Sequence, residues 1–383
     1  MTVQRNSATT EIEGREARGW KRELTVLIAT QGYVGSRKRK PISNRTQDKR
    51  QDVLFLAFRT LKGLGFRIKH VSDFGDRHVK ALMQHWEEAG LAAATLQVRL
   101  SILRTLAEWL GKGGMVKGID NYLKDPSRGR RTVAAQHDHS WSAYGIDAEK
   151  LIAEISAFDR RVGMQLKLMH AFALRREEAV MFRPNKADQG TYIVVRDGTK
   201  GGRERVVPIE LPHQRTVLDE AKRMARGINS HIGHPEHDLK QALRRFNYVV
   251  GERFALNRKA LGVTSHGLRH QGLNDMFERL SGIPSPVRGQ THEMFVQVDP
   301  LKVEYARQRV SEVAGHARLS ISTAYLGGRI PSVAIPHLSA EESYAWTRLY
   351  ELRRKGVERT AEETSELEVL VDRLLKKVAD VEG

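Results

Sequence analysis

The stretch GHARLSISTAYLGG, from Gly315 to Gly328, sets a histidine at 316 and a tyrosine at 325, nine residues apart across a short Ser/Thr-rich turn. A tyrosine there is either a buried aromatic or a nucleophile. Three earlier segments bear on the choice: FALRREEAVMF (172–182), GTKGGRERVVPI (198–209) and HGLRH (266–270). In chain order the four offer Arg175, Lys200, His266 with Arg269, then His316 and Tyr325. Each alone has an ordinary reading: a surface arginine, a solvated turn lysine, a helix-capping histidine, a core aromatic. Their order and spacing change the weight of the set.

Composition narrows the partner. The 383 residues carry a formal charge of +18, and the hydrophobic share is 40%. That is a folded chain long enough for two or three domains, with a field that favours a polyanion, nucleic acid above all. No apolar run reaches 18 residues, so no membrane span is expected, and the first twenty residues lack the apolar core of a secretory signal. Cysteine is absent, which excludes disulfides, thiolate metal sites and cysteine nucleophiles and suits a cytoplasmic protein. The charge is uneven: residues 1–50 hold a net +7 and residues 336–383 a net −3. The acidic tail is therefore expected to face protein, not DNA.

Patterning gives a mainly α chain with a small antiparallel β-sheet. Residues 1–50 read as a basic arm or a loosely packed helix and loop. Residues 51–130 read as a helical bundle, with Leu54, Phe58, Leu61 and Leu64 on one stripe. A later helix, capped at Thr95, buries Leu96, Leu100, Leu103 and Leu106 and shows Arg99 and Arg104 on its other face. Residues 131–146 have no clean period and read as a linker. A second domain, 147–335, is mostly helical, with strands at 191–196 and 205–209 flanking a Gly-rich turn. The tail, 336–383, carries a Thr360-to-Glu363 capping box and an amphipathic stripe from Leu367 to Val378.

The four segments together resemble the tyrosine recombinase family, the phage-type integrases. Its members show an Arg and Glu in one box, a hairpin lysine, an HxLRH box, and a GH followed nine residues later by tyrosine. Arg175 and Glu178 hold the first places, His266, Arg269 and His270 the second box, and His316 and Tyr325 the last. The likeness covers residues 50–330 and implies a SAM-like core-binding domain over 51–130. Two departures stand out. Phe172 and Ala173 replace a common Thr-Gly pair, and GIPSPVRGQTHEMFVQVDP (282–300) lengthens the interval from His270 to His316.

The resemblance implies a site-specific recombinase that cuts and rejoins double-stranded DNA through a 3′-phosphotyrosyl intermediate. Its catalytic residues would be Arg175, Lys200, His266, Arg269, His316 and Tyr325. Two guanidiniums can grip a phosphodiester whose transition state gathers negative charge. A phenol has a pKa of about 10 and needs a base and a cationic field to attack. His266 would take its proton, Lys200 would protonate the leaving 5′-oxygen, His316 would bond the phosphate, and Glu178 would orient its neighbours. Neither metal nor cofactor is implied. Two helical and catalytic domains closing on duplex DNA, a homotetramer on paired sites and accessory DNA-bending proteins are the implied assembly. The competing readings are a type IB topoisomerase and a catalytically inactive DNA-binding accessory.

Overall fold

A computed structural model describes residues 19–34, 41–199, 202–315, 322–328, 348, 352 and 360–380. Lys200 and His316 lie outside the described residues, as does most of the chain between Gly328 and Thr360. The chain divides between Val133 and Ala134 into two compact units.

The first unit holds α1 (Trp20–Gln31), α2 (Asn44–Gly63), α3 (Asp76–Glu88) and α4 (Ala93–Trp109). Apolar positions three and four apart supply its core. Leu54, Phe58 and Leu61 of α2, Val79, Leu82 and Trp86 of α3, and Leu96, Leu100, Leu103 and Leu106 of α4 are all buried. Each such side chain contributes about 1.5–3 kcal/mol on leaving water. The described part of the basic arm, residues 19–34 and 41–50, packs into this unit. Leu24 of α1 is fully buried, and Trp20 stacks on Phe58 with ring centroids 5.0 Å apart. Buried Arg50 donates to the Val34 carbonyl at 2.9 Å.

Several local expectations shift. The α4 helix starts before Thr95, with Ala92 as its uncapped N-cap. Leu64 falls just past the end of α2 and is exposed. Arg99 lies over the Trp86 ring at 4.6 Å, and Arg104 donates to the Val116 and Lys117 carbonyls. Both arginines therefore brace the bundle, since a guanidinium can satisfy a ring face or a loop carbonyl as readily as a phosphate.

The second unit runs α5 (Ala148–Phe158), α6 (Arg160–Phe172), α7 (Arg176–Met181), α8 (Pro184–Ala187), β1 (Tyr192–Val195), β2 (Arg205–Pro208), α9 (Pro212–Met224), α10 (Leu239–Asn247), α11 (His266–Ser281), α12 (His292–Val296), α13 (Pro300–Val313) and α14 (Thr323–Leu326). Asp147 and Asp159 cap α5 and α6 through backbone N–H groups. The α11 helix packs against both α6 and α13. The two strands pair antiparallel, Tyr192 opposite Pro208 and Val195 opposite Arg205. Ile193, Val195, Arg205 and Val207 face inward, while Tyr192 and Val206 are exposed.

The segment read as a linker is built into this unit. Trp141 is completely buried and its indole N–H donates to the Thr264 carbonyl at 3.0 Å. The polar, aperiodic spelling of 131–146 hid a single large anchor. The 282–300 segment is also docked: Arg288 bonds Asp138 at 3.1 Å and Asp275 at 2.7 Å. In the tail, Thr360 and Glu363 exchange side-chain bonds to each other's backbone N–H, opening a helix at Ala361–Asp380. Among the described residues no helix is long and apolar enough to cross a membrane.

Truncating the Trp141 anchor should show where the second unit begins. Trp141→Ala is expected to lower stability by about 3–5 kcal/mol. Urea unfolding followed by far-UV circular dichroism would read it; a change below about 1 kcal/mol would mean the segment is only draped on the surface.

Candidate active site

One short departure from regular helix brings the first charged groups inward. The α6 helix ends at Phe172, and Ala173 takes a left-handed conformation with φ 49°. That turn sends the chain back so that Arg175 precedes α7. Its backbone N–H donates to Glu178 Oε2 at 2.6 Å, and its Nη1 donates to Glu178 Oε1 at 2.7 Å.

Glu178 is fully buried, and a second arginine meets it. Arg205, the first residue of β2, donates from Nη1 and Nη2 to the two carboxylate oxygens at 2.5 and 2.8 Å. Burial alone would raise this carboxyl group. The charges of Arg205, Arg269 and Arg175, with the Arg205 bonds, overcome it and hold the group below its ordinary range. Glu178 thus stays ionised and fixes two cations.

The end of α13 fixes the same cations from the other side. Arg205 Nε donates to the Val313 carbonyl at 2.7 Å, Arg175 Nη2 to the Ala314 carbonyl at 2.7 Å, and Arg269 Nη2 to that same carbonyl at 2.6 Å. The last carbonyls of a helix lack intrahelical donors and carry its negative pole, so guanidiniums suit them. Arg269 Nη1 also donates to the Ala173 carbonyl. Three arginines are therefore held before any ligand arrives.

The phenol joins this group. Arg269 is fully buried on α11, and its Nε donates to the Tyr325 hydroxyl oxygen at 3.1 Å. Its guanidinium lies 5.3 Å from the Tyr325 ring centre. Tyr325 is 6% exposed, so it is both a buried aromatic and an oxygen held by a cation. His270 and His266 flank it with ring centroids at 4.9 and 6.1 Å. His139, from the segment before Trp141, packs edge-on against His270 at 5.3 Å.

Burial, helped by neighbouring positive charge, keeps these imidazoles neutral. Protein packed around His266, then the charges of Arg269, Arg175 and His139, lower it to about 4. Its outer edge remains open to solvent. Burial, then His266 and His139, lower His270 to about 3. A neutral imidazole can accept a proton, which an imidazolium cannot. Burial, with Arg205 and Arg175 beside it, brings Arg269 down to about 10, although Tyr325 pulls the other way.

The fold therefore brings Arg175, His266, Arg269 and Tyr325 into one place. Lys200 and His316 are not described, but their chain neighbours are anchored. A Cβ on Gly198 would sit 2.7 Å from the Glu177 carbonyl, so only glycine lets the start of the β1–β2 turn lie on α7. Gly315, at the end of α13, immediately precedes His316. Arg205 and His139 were not anticipated. Arg205 was legible as a charged residue in phase with inward Val207 on a two-residue period; nothing in the sequence singled out His139.

Two family models match the chain: "Phage integrase, N-terminal" over residues 31–116 and "Integrase" over residues 141–275. A search of the curated proteins finds no match. Among solved structures, a lambda integrase dimer bound to a COC′ core site is similar at TM-score 0.52 and 14% identity, covering 87% of this chain and 85% of that one. A lambda integrase tetramer bound to a Holliday junction gives 0.50 and 14% over the same shares. The Tn1549 transposon integrase with transposon right end DNA gives 0.50 and 11%, covering 85% of this chain and 98% of that one.

Two outcomes test the electrostatics. Arg205→Ala leaves the buried Glu178 carboxylate short of its bidentate partner, and a loss of about 3–5 kcal/mol is expected; full stability in a urea titration at pH 7 would refute the buried pairing. The neutral histidines give a pH dependence. His270 sits at about 3 in the fold and takes up protons more readily once unfolded, near pH 6.5. Its contribution is complete above pH 6.5 and declines as pH falls toward about 3, by about 2 kcal/mol at pH 5. His270→Asn should flatten the change in unfolding free energy between pH 7 and 5; an unchanged slope would mean His270 is not held neutral.

Proposed function

We propose that this chain, which belongs to the tyrosine recombinase family, is a site-specific DNA recombinase that cuts and rejoins duplex DNA through Tyr325. The observation that carries the reading is the bond from fully buried Arg269 to the Tyr325 hydroxyl, with Arg175 fixed on the same Ala314 carbonyl. A scaffolding aromatic has no use for a buried cation on its oxygen. A nucleophilic phenol does, because the cation stabilises the phenolate as its proton leaves.

The step balances without metal. The Tyr325 oxygen attacks phosphorus and passes its proton to His266, neutral at pH 7. The 5′-oxygen leaves and takes a proton from Lys200 on the hairpin loop. The product is a 3′-phosphotyrosyl bond, and attack by a 5′-hydroxyl reverses the sequence without an external energy source. Arg175 and Arg269 would meet the non-bridging oxygens, where charge grows in the transition state, a role the family resemblance extends to His316. The arrival of a phosphate anion raises His266 and so strengthens it as a base.

The net charge of +18 supports duplex DNA as the partner and a cytoplasmic setting. The fold shared with lambda integrase, seen as a dimer on a core site and a tetramer on a Holliday junction, supports action as a homotetramer on two paired sites. Accessory DNA-bending proteins are a further expected partner.

Suicide DNA, nicked so that the cleaved strand is lost, tests the reading directly. Wild-type protein should form a covalent adduct, and Tyr325→Phe should bind the same DNA with none; a persisting adduct would move the nucleophile to another tyrosine. Arg175→Ala and Arg269→Lys should each slow adduct formation by about 100- to 1,000-fold while affinity changes far less. Equal losses in both would make them ordinary phosphate contacts. Affinity should fall with salt along a log–log slope of about −5 or steeper, and a flat response would remove DNA as the main partner.

A further inference from the structure

Tyr325 stands on α14, a helix of four residues. So short a helix cannot set its own position, because one turn of backbone bonds does not outweigh the order it demands. The surrounding chain supplies the bonds. The Ala135 N–H donates to the Thr323 carbonyl at 2.9 Å. Asn274, fully buried on α11, donates from Nδ2 to the Tyr325 carbonyl at 3.2 Å and to the His270 carbonyl at 2.8 Å. His266, His270 and Asn274 follow at four-residue steps, so one face of α11 presents the two imidazoles and this amide.

The other end of the Asn274 amide reaches the 282–300 segment. Its Oδ1 accepts a hydrogen bond from Ser285 Oγ, and Ser285 is fully buried. The turn that follows, Pro286–Arg288, lies on the chain just past the tyrosine. Gly327 there has φ +89°, and a Cβ on it would stand 2.9 Å from Val287 Cγ1 and 3.2 Å from the Val287 nitrogen. Arg288 closes the turn onto Asp138, Asp275 and Glu278, and its Nη2 donates to Ser140 Oγ at 3.2 Å.

We infer that Asn274 and the Ser285–Arg288 turn form a latch on the main chain either side of Tyr325, and that this latch sets where the phenol oxygen sits relative to Arg269. Asn274 and Ser285 are positioning residues. Neither touches the phenol oxygen, and each acts through the Tyr325 backbone. The inference rests on the reading of Tyr325 as the nucleophile. It gives the 282–300 segment a definite task, holding the reacting group in register. A displacement of about 1 Å at a reacting atom is enough to slow a step by about 100-fold.

The test uses the full chain with Asn274→Ala, Ser285→Ala and the double variant, wild type and Tyr325→Phe serving as controls. Each single variant should bind suicide DNA like wild type and form the adduct about 10- to 100-fold more slowly. The double variant should be no slower than the worse single one, because both cut the same chain of bonds. In the free protein, amide hydrogen exchange at residues 323–327 should rise in every variant, while α6 keeps its protection. Ser285→Ala removes only a hydroxyl, so it remains informative if Asn274→Ala folds poorly. Wild-type adduct rates in the variants, or losses of affinity and rate in equal measure, would overturn the latch. So would additive effects in the double variant. A wild-type protein that forms no adduct would instead sink the nucleophile reading, and unchanged exchange at 323–327 would by itself still dismiss the latch.

Discussion

The carboxyl end of α13 is the constraint on which the site depends. Its last carbonyls, at Val313 and Ala314, would be orphan acceptors in an isolated helix. Here they receive Arg205, Arg175 and Arg269, which come from β2, the turn before α7, and α11. Distant parts of the chain thus converge on two oxygen atoms. Moving α13 by one turn would release all three guanidiniums together.

The three guanidiniums and Glu178 are hydrogen-bonded, while their charges do not balance. One carboxylate, Glu178, faces two directly bonded arginines and lies in the field of a third. Burial first, and the neighbouring arginine charges after it, lower Arg269 to about 10 and His266 to about 4. A phosphodiester supplies the missing negative charge, so its arrival relaxes a repulsion already built into the fold. In the proposed mechanism, His266 stays neutral in the free protein through burial and the arginines beside it, the same arginines that favour a phosphate.

The sequence made much of this legible because boxes of fixed spacing on helices survive as geometry. Arg175 with Glu178, His266 with Arg269, and Tyr325 are each placed by local helical turns, and the fold brings them together. The two-strand hairpin was likewise readable from alternation. What escaped was long-range. Arg205 meets Glu178 across 27 residues of chain, and His139 reaches His270 across more than a hundred. Trp141 was missed because one buried side chain inside a polar run carries no periodicity. Arg99 and Arg104 were assigned to a free basic face because composition records a charge and not its partner, which here is a ring or a carbonyl.

The hairpin has one more consequence, for how the chain can vary. Strand side chains alternate faces, and only four residue pairs hold β1 to β2. A slip of one residue would turn Arg205 to solvent and present Val206 or Glu204 to Glu178, leaving the buried carboxylate with Arg175 alone. A slip of two would present Val207 or Arg203 instead, and only the second keeps a cation against Glu178. The Arg205–Glu178 pair therefore selects against every such slip except the one that brings in Arg203, in a ladder of only four pairs. Residues added or removed between Gly198 and Arg205 would shift the turn, and the ion pair then favours the alignment that keeps Arg205 on Glu178. The bonds that hold the three-arginine cluster come from Glu178, Ala173, Val313 and Ala314, none of them in the loop between the strands.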